Sequence, residues 1–238
     1  VENGLVEGKA VIKCVSVMGE VPQLADEEWP HLLRTVVRAA DGKAPVLGGI
    51  HGKDTKRSIA DALRAQDLGA TGLQVSPPLF NDPNQDDILR YFEALSDAIE
   101  IGIMVYNNPW YPHGEIMADT FRKMAGFEHV VAIKWCQPRS YEYSEMEALA
   151  PHFNILENGS NIGECFRLGG NGFLDEQATA YPQHELAILA LMEAGKYDEG
   201  QALWDSVTIP LRDFYQKMTA RSGGQARLKK AVMAAMGM

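Results

Sequence analysis

An apolar run, Val130-Val131-Ala132-Ile133, ends on Lys134, and a second, Ile101-Gly102-Ile103-Met104-Val105, ends on Tyr106. A strand bound for a core ends on an amine or a phenol when that group faces something. If the two strands are neighbours in a parallel sheet, amine and phenol stand side by side at one end. That pair is equipment for imine chemistry on a carbonyl compound. Burial disfavours the ammonium and frees the amine lone pair to attack a ketone. The protonated imine is an electron sink, so bonds β to the imine carbon can form or break. The phenol can then deliver or remove the proton at the substrate oxygen. The ordinary alternative is two strand-end residues turned to water, since loops after strands are often polar.

The chain has 238 residues, enough for one large domain or two small ones. Its net charge of −10 argues against nucleic acid or an anionic membrane surface as a main partner. A small anionic substrate stays open, because a local site can oppose the global charge. No stretch approaches the ~20 apolar residues of a membrane-spanning helix. Cys14, Cys136 and Cys165 lack CxxC spacing and cannot all pair, which fits a reducing, cytoplasmic setting. The six histidines are scattered without an HxxxH pair, so a metal site has no support.

To position the amine and the phenol, the chain must build a parallel sheet. Apolar, β-branched runs at Ala10–Val17, Pro45–Gly49, Gly72–Val75, Ile101–Tyr106, Val130–Lys134, Phe153–Leu156 and Gly172–Leu174 read as strands covered on both faces. Helical patterns alternate with them: Glu27–Ala40 capped by Asp26, Ser58–Leu68 ending at Gly69, Gln85–Ile99 and Tyr141–Ala150. The first five strand ends follow one another at 26 to 32 residues, one βα unit each. Such repeats either curl into a (β/α)8 TIM barrel or open into a doubly wound sheet. No GxGxxG follows the first strand and no GxxxxGK[ST] occurs, so the barrel is favoured. Seven strands are legible. The first βα unit is expected to be missing ahead of Ala10, with Val1–Leu5 as the tail of its helix. The barrel is assigned to residues 1–182. Residues 183–238 read as a C-terminal three-helix extension: Glu185–Ala194, Tyr197–Lys217 with Pro210 inside, and Gln225–Met236. Leu228, Val232, Met233 and Met236 form an apolar stripe on the last helix.

In a βα barrel, catalytic groups sit at the C-terminal strand ends. Those ends carry Ser16-Val17-Met18-Gly19-Glu20, His51, Ser76-Pro77-Pro78, Tyr106-Asn107-Asn108-Pro109, Lys134-Trp135, Asn158-Gly159-Ser160-Asn161 and Asp175-Glu176. Among them only Lys134 offers an amine directly at a strand end.

Here the sequence resembles the dihydrodipicolinate synthase / N-acetylneuraminate lyase family of class I aldolases. The carriers are Tyr106-Asn107-Asn108-Pro109, the apolar strand ending in Lys134, the 28-residue separation of Tyr106 from Lys134, and Gly19-Glu20. The resemblance runs from about Lys9 to the end. It implies Lys134 as the Schiff-base lysine for pyruvate or another 2-keto acid, and Tyr106 as the acid/base. It also implies that the backbone N–H groups at Val17 and Met18 receive the keto-acid carboxylate, with Gly159 and Leu174 lining the site. It implies no metal and no organic cofactor, a cytoplasmic homotetramer or homodimer, and a small-molecule 2-keto acid with an aldehyde or sugar-acid part as ligand.

The departures concern specificity. The family turn usually offers two hydroxyls, whereas here Val17 and Met18 follow Ser16. The partner-supplied tyrosine of the family falls near Phe80. The arginine five residues after the acid/base tyrosine is Tyr111, which counts against lysine-biosynthetic synthase activity. Asn108, Trp110, Tyr111, His113 and Trp135 stand in their place. Asn108, two residues after Tyr106, resembles the hydratase-aldolase branch, and Phe80, Trp110, Tyr111 and Trp135 could stack an aromatic acceptor. Trp110 and Tyr111 could equally be loop packing. Asp175-Glu176 could bind the hydroxyls of a keto-deoxy sugar acid, or cap the segment that follows.

Overall fold

The computed structural model of the protein describes residues 2–80 and 82–238. Seven strands, β1 (Ile12–Cys14), β2 (Val46–Ile50), β3 (Gly72–Val75), β4 (Gly102–Tyr106), β5 (Val130–Trp135), β6 (Asn154–Glu157) and β7 (Gly172–Phe173), form one sheet in chain order. Every neighbouring pair is parallel. A doubly wound sheet reverses its strand order at a switch point, and this one never does. The sheet is also curled. Lys13 on β1 and Lys134 on β5 face one interior closely enough for each to shift the other's pKa. Four strand spacings of a flat sheet would hold them roughly 19 Å apart. Among the described residues β7 does not pair with β1.

Register sorts the side chains onto two faces. Lys13 pairs with Leu47, Gly49 with Gln74, Gln74 with Met104, and Tyr106 with Lys134, so these residues point into the barrel. The alternate set, Leu73, Val75, Ile103, Val105, Ile133, Trp135 and Ile155, is fully buried against the helices. The outer face is therefore the apolar core, and the inner face is where polar groups collect.

Around the sheet lie α1 (Glu28–Ala40), α2 (Thr55–Asp67), α3 (Gln85–Ser96), α4 (Ala118–Met124) and α5 (Ile162–Arg167), followed by α6 (Pro182–Glu193), α7 (Tyr197–Ser222) and α8 (Gln225–Ala235). Asp26 does not cap α1. The Glu28 carboxylate instead accepts the Ala25 N–H at 2.8 Å, from inside the first turn. α2 starts at Thr55, before the predicted Ser58, because Asp54 caps it by accepting the Arg57 N–H at 3.0 Å. α4 and α5 are too short to show helical periodicity in the sequence. Tyr141–Ala150 holds a 3-10 helix over Tyr143–Ala148 where an α-helix is predicted. Its tyrosines are tied elsewhere, Tyr141 to the Ile116 carbonyl and Tyr143 to Glu157. The longer rise of 3-10 winding suits a segment held at two such points.

β1 is shorter than the predicted Ala10–Val17. Val15 takes φ 48°, a left-handed conformation rare for a β-branched residue, and it turns the chain out of the strand. Gly49 makes room for that turn: a Cβ there would lie 2.5 Å from the Val15 carbonyl oxygen. At the start of the chain, Glu2–Gly4 form turns where the sequence reads as a helix tail, and Val1 lies outside the described residues. α6 and α7 pack on the barrel flank through Ile162, Ile188, Met192 and Trp204, with Phe166 and Phe173 alongside. On α8, Leu228 is buried and Val232 and Met233 are half-buried, while Met236 falls past the helix end and is exposed. No helix among the described residues is long and apolar enough to cross a membrane.

Candidate active site

Lys134 and Tyr106 occupy paired positions on β5 and β4. The Lys134 side chain is buried, and its Nζ lies 3.7 Å from the centroid of the Tyr106 ring. Burial is the main reason its pKa falls to about 7, and the Lys13 ammonium adds to the fall. At neutral pH a large share of Lys134 is therefore free amine. Tyr106 moves the other way: burial pushes its phenol up to about 12, so it keeps its proton and can donate it. The Trp110 and Tyr111 side chains lie near that phenol.

The strand ends are held by a buried amide. The Asn107 N–H donates to the Lys134 carbonyl at 3.3 Å. Asn107 Oδ1 accepts the Ile116 N–H at 3.0 Å, and Nδ2 donates to the Tyr141 hydroxyl at 3.3 Å. Tyr141 passes its own proton to the Ile116 carbonyl at 2.8 Å. These bonds fix the loop after β4, and with it the place of Tyr106.

Several inward-facing groups, His51 among the strand-end residues included, carry no assigned role from the sequence. Lys13 is half-buried at the middle of β1 and meets Lys134. Its signal was present: a lysine inside Ala10-Val11-Ile12-Lys13-Cys14-Val15 is as odd as Lys134 at the end of its run. His51 meets the Tyr106 ring edge-on at 6.3 Å between centroids. Its Nδ1 lies 2.6 Å from Ser76 Oγ, and its Nε2 lies 3.3 Å from the Gln74 side-chain amide. With that amide donating to Nε2, the ring proton sits on Nδ1 and goes to Ser76. Burial first, then the charges of Lys134 and Lys13, drive His51 down to about 3, so it is a neutral hydrogen-bonding group. The buried Gln74 Oε1 has no partner among the described residues.

The other predicted site residues fall in different places. Ser16 is buried, while Val17 and Met18 are each 37% exposed in a 3-10 turn, Val17–Gly19, that packs against α8. Asn108 is buried inside the tight loop 108–114, its carbonyl accepting the Tyr111 N–H at 3.1 Å. Trp110 and Tyr111 are exposed beside Tyr106. Trp135 is a correction: as the residue after the inward Lys134 it points outward, fully buried between Phe121, Tyr141 and Tyr143. It cannot stack an acceptor in the mouth. Phe80 is 73% exposed along a groove with Thr55, Pro83 and Tyr91. His113 pairs with Asp82 at 3.1 Å. Gly159 abuts Glu157, since a Cβ there would come 2.7 Å from its carboxylate oxygen. Leu174 is half-buried and donates its N–H to the Glu157 carbonyl at 2.8 Å. The acidic pair after β7 is already engaged: Asp175 accepts the Gln177 N–H at 2.7 Å, and Glu176 pairs with Lys229 of α8.

A sequentially ordered parallel barrel with a buried amine against a phenol at adjacent strand ends defines a class of barrel enzyme scaffold. The chain belongs to the dihydrodipicolinate synthetase family, whose model matches residues 1–238. It is 30% identical over 219 residues to a 4-hydroxy-tetrahydrodipicolinate synthase of Staphylococcus saprophyticus, covering 86% of this chain and 72% of that protein. Another curated relative, from Staphylococcus carnosus, is spanned over only 61% of its length. The fold is similar to the 4-hydroxy-tetrahydrodipicolinate synthase of Methylacidiphilum fumariolicum SolV, with TM-score 0.84 and 23% identity over 99% of this chain and 77% of that one. It is also similar to YagE of E. coli K12 in complex with pyruvate, with TM-score 0.81 and 22% identity over 93% of this chain and 75% of that one.

Proposed function

We propose that the protein is a Schiff-base lyase: Lys134 condenses with the keto carbon of pyruvate or a related 2-keto acid, and a C–C or C–O bond beside it is made or broken. In the cleavage direction the amine adds to the ketone and water leaves as the iminium forms. The bond β to the iminium carbon then breaks, its electrons flow into the iminium, and an aldehyde departs. In the condensation direction Tyr106, protonated at neutral pH, gives its proton to the aldehyde oxygen, and in the cleavage direction its phenolate takes that proton back. Reprotonation of the enamine and hydrolysis release pyruvate and restore the amine.

The observation that carries this reading is the buried Lys134 Nζ, 3.7 Å from the Tyr106 ring, with its pKa lowered to about 7. Pyruvate in the solved complex of YagE supports pyruvate as the first acid to try. Trp110 and Tyr111, exposed beside the Tyr106 phenol, favour an aromatic aldehyde as the second part, in the manner of a hydratase-aldolase. A sugar-acid aldolase is less favoured, because Asp175 and Glu176 are already satisfied within the chain. Tyr111 where the synthases carry arginine counts against synthase activity.

Incubation with pyruvate and borohydride should add one reduced pyruvyl mass on the peptide carrying Lys134. Absence of an adduct, or an adduct that persists in Lys134→Ala, sinks the proposal. A panel of arylidene-pyruvates and keto-deoxy sugar acids, followed by pyruvate release, then ranks the second part. Binding without turnover across the panel would mark a keto-acid-binding homologue instead.

A further inference from the structure

A phenol that moves a proton must be held by its ring as well as by its backbone. The Asn107 bonds fix the chain after Tyr106, but they end on Ile116 and Tyr141 and do not reach the ring. Lys134 Nζ stands over that ring, 3.7 Å from its centroid. The His51 ring meets it at 87° with 6.3 Å between centroids, an edge-to-face contact. Register makes the two neighbours. Ile50 pairs with Val75 and Val75 with Val105, so the next residues, His51, Ser76 and Tyr106, stand abreast at the ends of β2, β3 and β4. The Ser76 N–H carries the ladder to that level by donating to the Ile50 carbonyl at 3.2 Å. Tyr106 in turn pairs with Lys134 on β5.

An imidazole without partners could turn about its Cβ–Cγ bond. This one is held at both nitrogens, Nδ1 at 2.6 Å from Ser76 Oγ and Nε2 at 3.3 Å from the Gln74 amide nitrogen. Gln74 lies two residues before Ser76 and so on the same inward face of β3. Gln74 and Ser76 are 1% and 2% exposed, which shields both bonds from water. The arrangement works against stability. The Gln74 amide commits its N–H to His51 and leaves Oε1 buried without a partner among the described residues, and an unpartnered buried acceptor opposes folding. Apolar side chains would line this wall without that penalty. Such departures from a satisfied interior belong where function demands a geometry.

We propose that His51 is a positioning residue for Tyr106: clamped by Ser76 and Gln74, its ring holds the Tyr106 ring in place under Lys134. The role deepens the Schiff-base reading and rests on it for its purpose, but the placement of the ring can be tested without any keto acid.

Ser76→Ala opens one side of the clamp with little disturbance, and His51→Leu removes the imidazole. Without ligand, the readout is the NMR signal of the Lys134 ε-CH2 protons, displaced upfield by the current of the Tyr106 ring. Tyr106→Leu gives the value without that ring. The displacement should shrink toward this value in Ser76→Ala and further in His51→Leu. A displacement unchanged in both variants overturns the proposal. With substrate, Ser76→Ala should form the pyruvate adduct at the unaltered rate, because Tyr106 acts after it, while kcat falls about 10-fold or more. In a Tyr106→Phe background the same substitution should cost nothing further, since no phenol remains to be positioned. Adduct formation slowed as much as turnover, or an effect that adds in full to that of Tyr106→Phe, marks a merely structural role and also overturns the proposal. No adduct in the unaltered protein, with the ring-current result as expected, defeats the keto-acid reading alone.

Discussion

On one side of the mouth Tyr106 ends a strand of five residues and Lys134 is the last but one of a strand of six, while on the other β1 and β7 run three and two residues. The β4–β5 side is locked by register and by the buried Asn107 network. The β1–β7 side, paired to β2 and β6, also meets α8 through the ion pairs Lys229 to Glu176 and Lys230 to Glu20. A buried network fixes a proton donor to within a fraction of an ångström. Ion pairs at a rim hold a surface more loosely and are screened by salt. The rigid side therefore suits the reacting atoms, and the looser side suits the part of the site that sorts substrates.

The largest effect should come from Lys134→Ala. Its pyruvate adduct should vanish and its turnover fall on the order of 10⁴-fold or more, read by mass and by pyruvate release. Tyr106→Phe keeps the ring under Lys134 and removes only the hydroxyl. Its adduct should form normally while kcat falls about 10²- to 10⁴-fold. Retained turnover there would move the acid/base role off the rigid side. Asn107→Ala should cost about 1–3 kcal/mol in urea unfolding, because it strands the buried Ile116 N–H. Lys230→Ala should shift stability by no more than about 1 kcal/mol, since its pair with Glu20 is exposed. A loss as large as that of Asn107→Ala would erase the contrast between the two sides. Adduct formation should also rise with pH through about 7 in the unaltered protein, because only the free amine of Lys134 attacks.

Much of this was legible along the chain. The seven strands, their parallel arrangement and the Tyr106–Lys134 pair follow from apolar runs, spacing and two polar strand ends. These are local signals, and buried parallel strands write them strongly. The short α4 and α5 went unread because six or seven residues cannot display a helical period. Trp135 was misplaced for a different reason. Its neighbour Lys134 marks the site, but strand alternation sends the next side chain to the opposite face.

Sequence alone determined which strand ends hold the amine and the phenol, because their types and spacing are written in the chain. Only the tertiary structure decided what surrounds the amine. Lys13 lies 121 positions before Lys134, and only the curl of the sheet brings the two nitrogens together. Nothing in the spacing of two lysines says whether a sheet will be flat or closed. Asp175 caps the turn that follows it, one of the two readings the sequence left open, while only the fold brings Glu176 to Lys229 of α8.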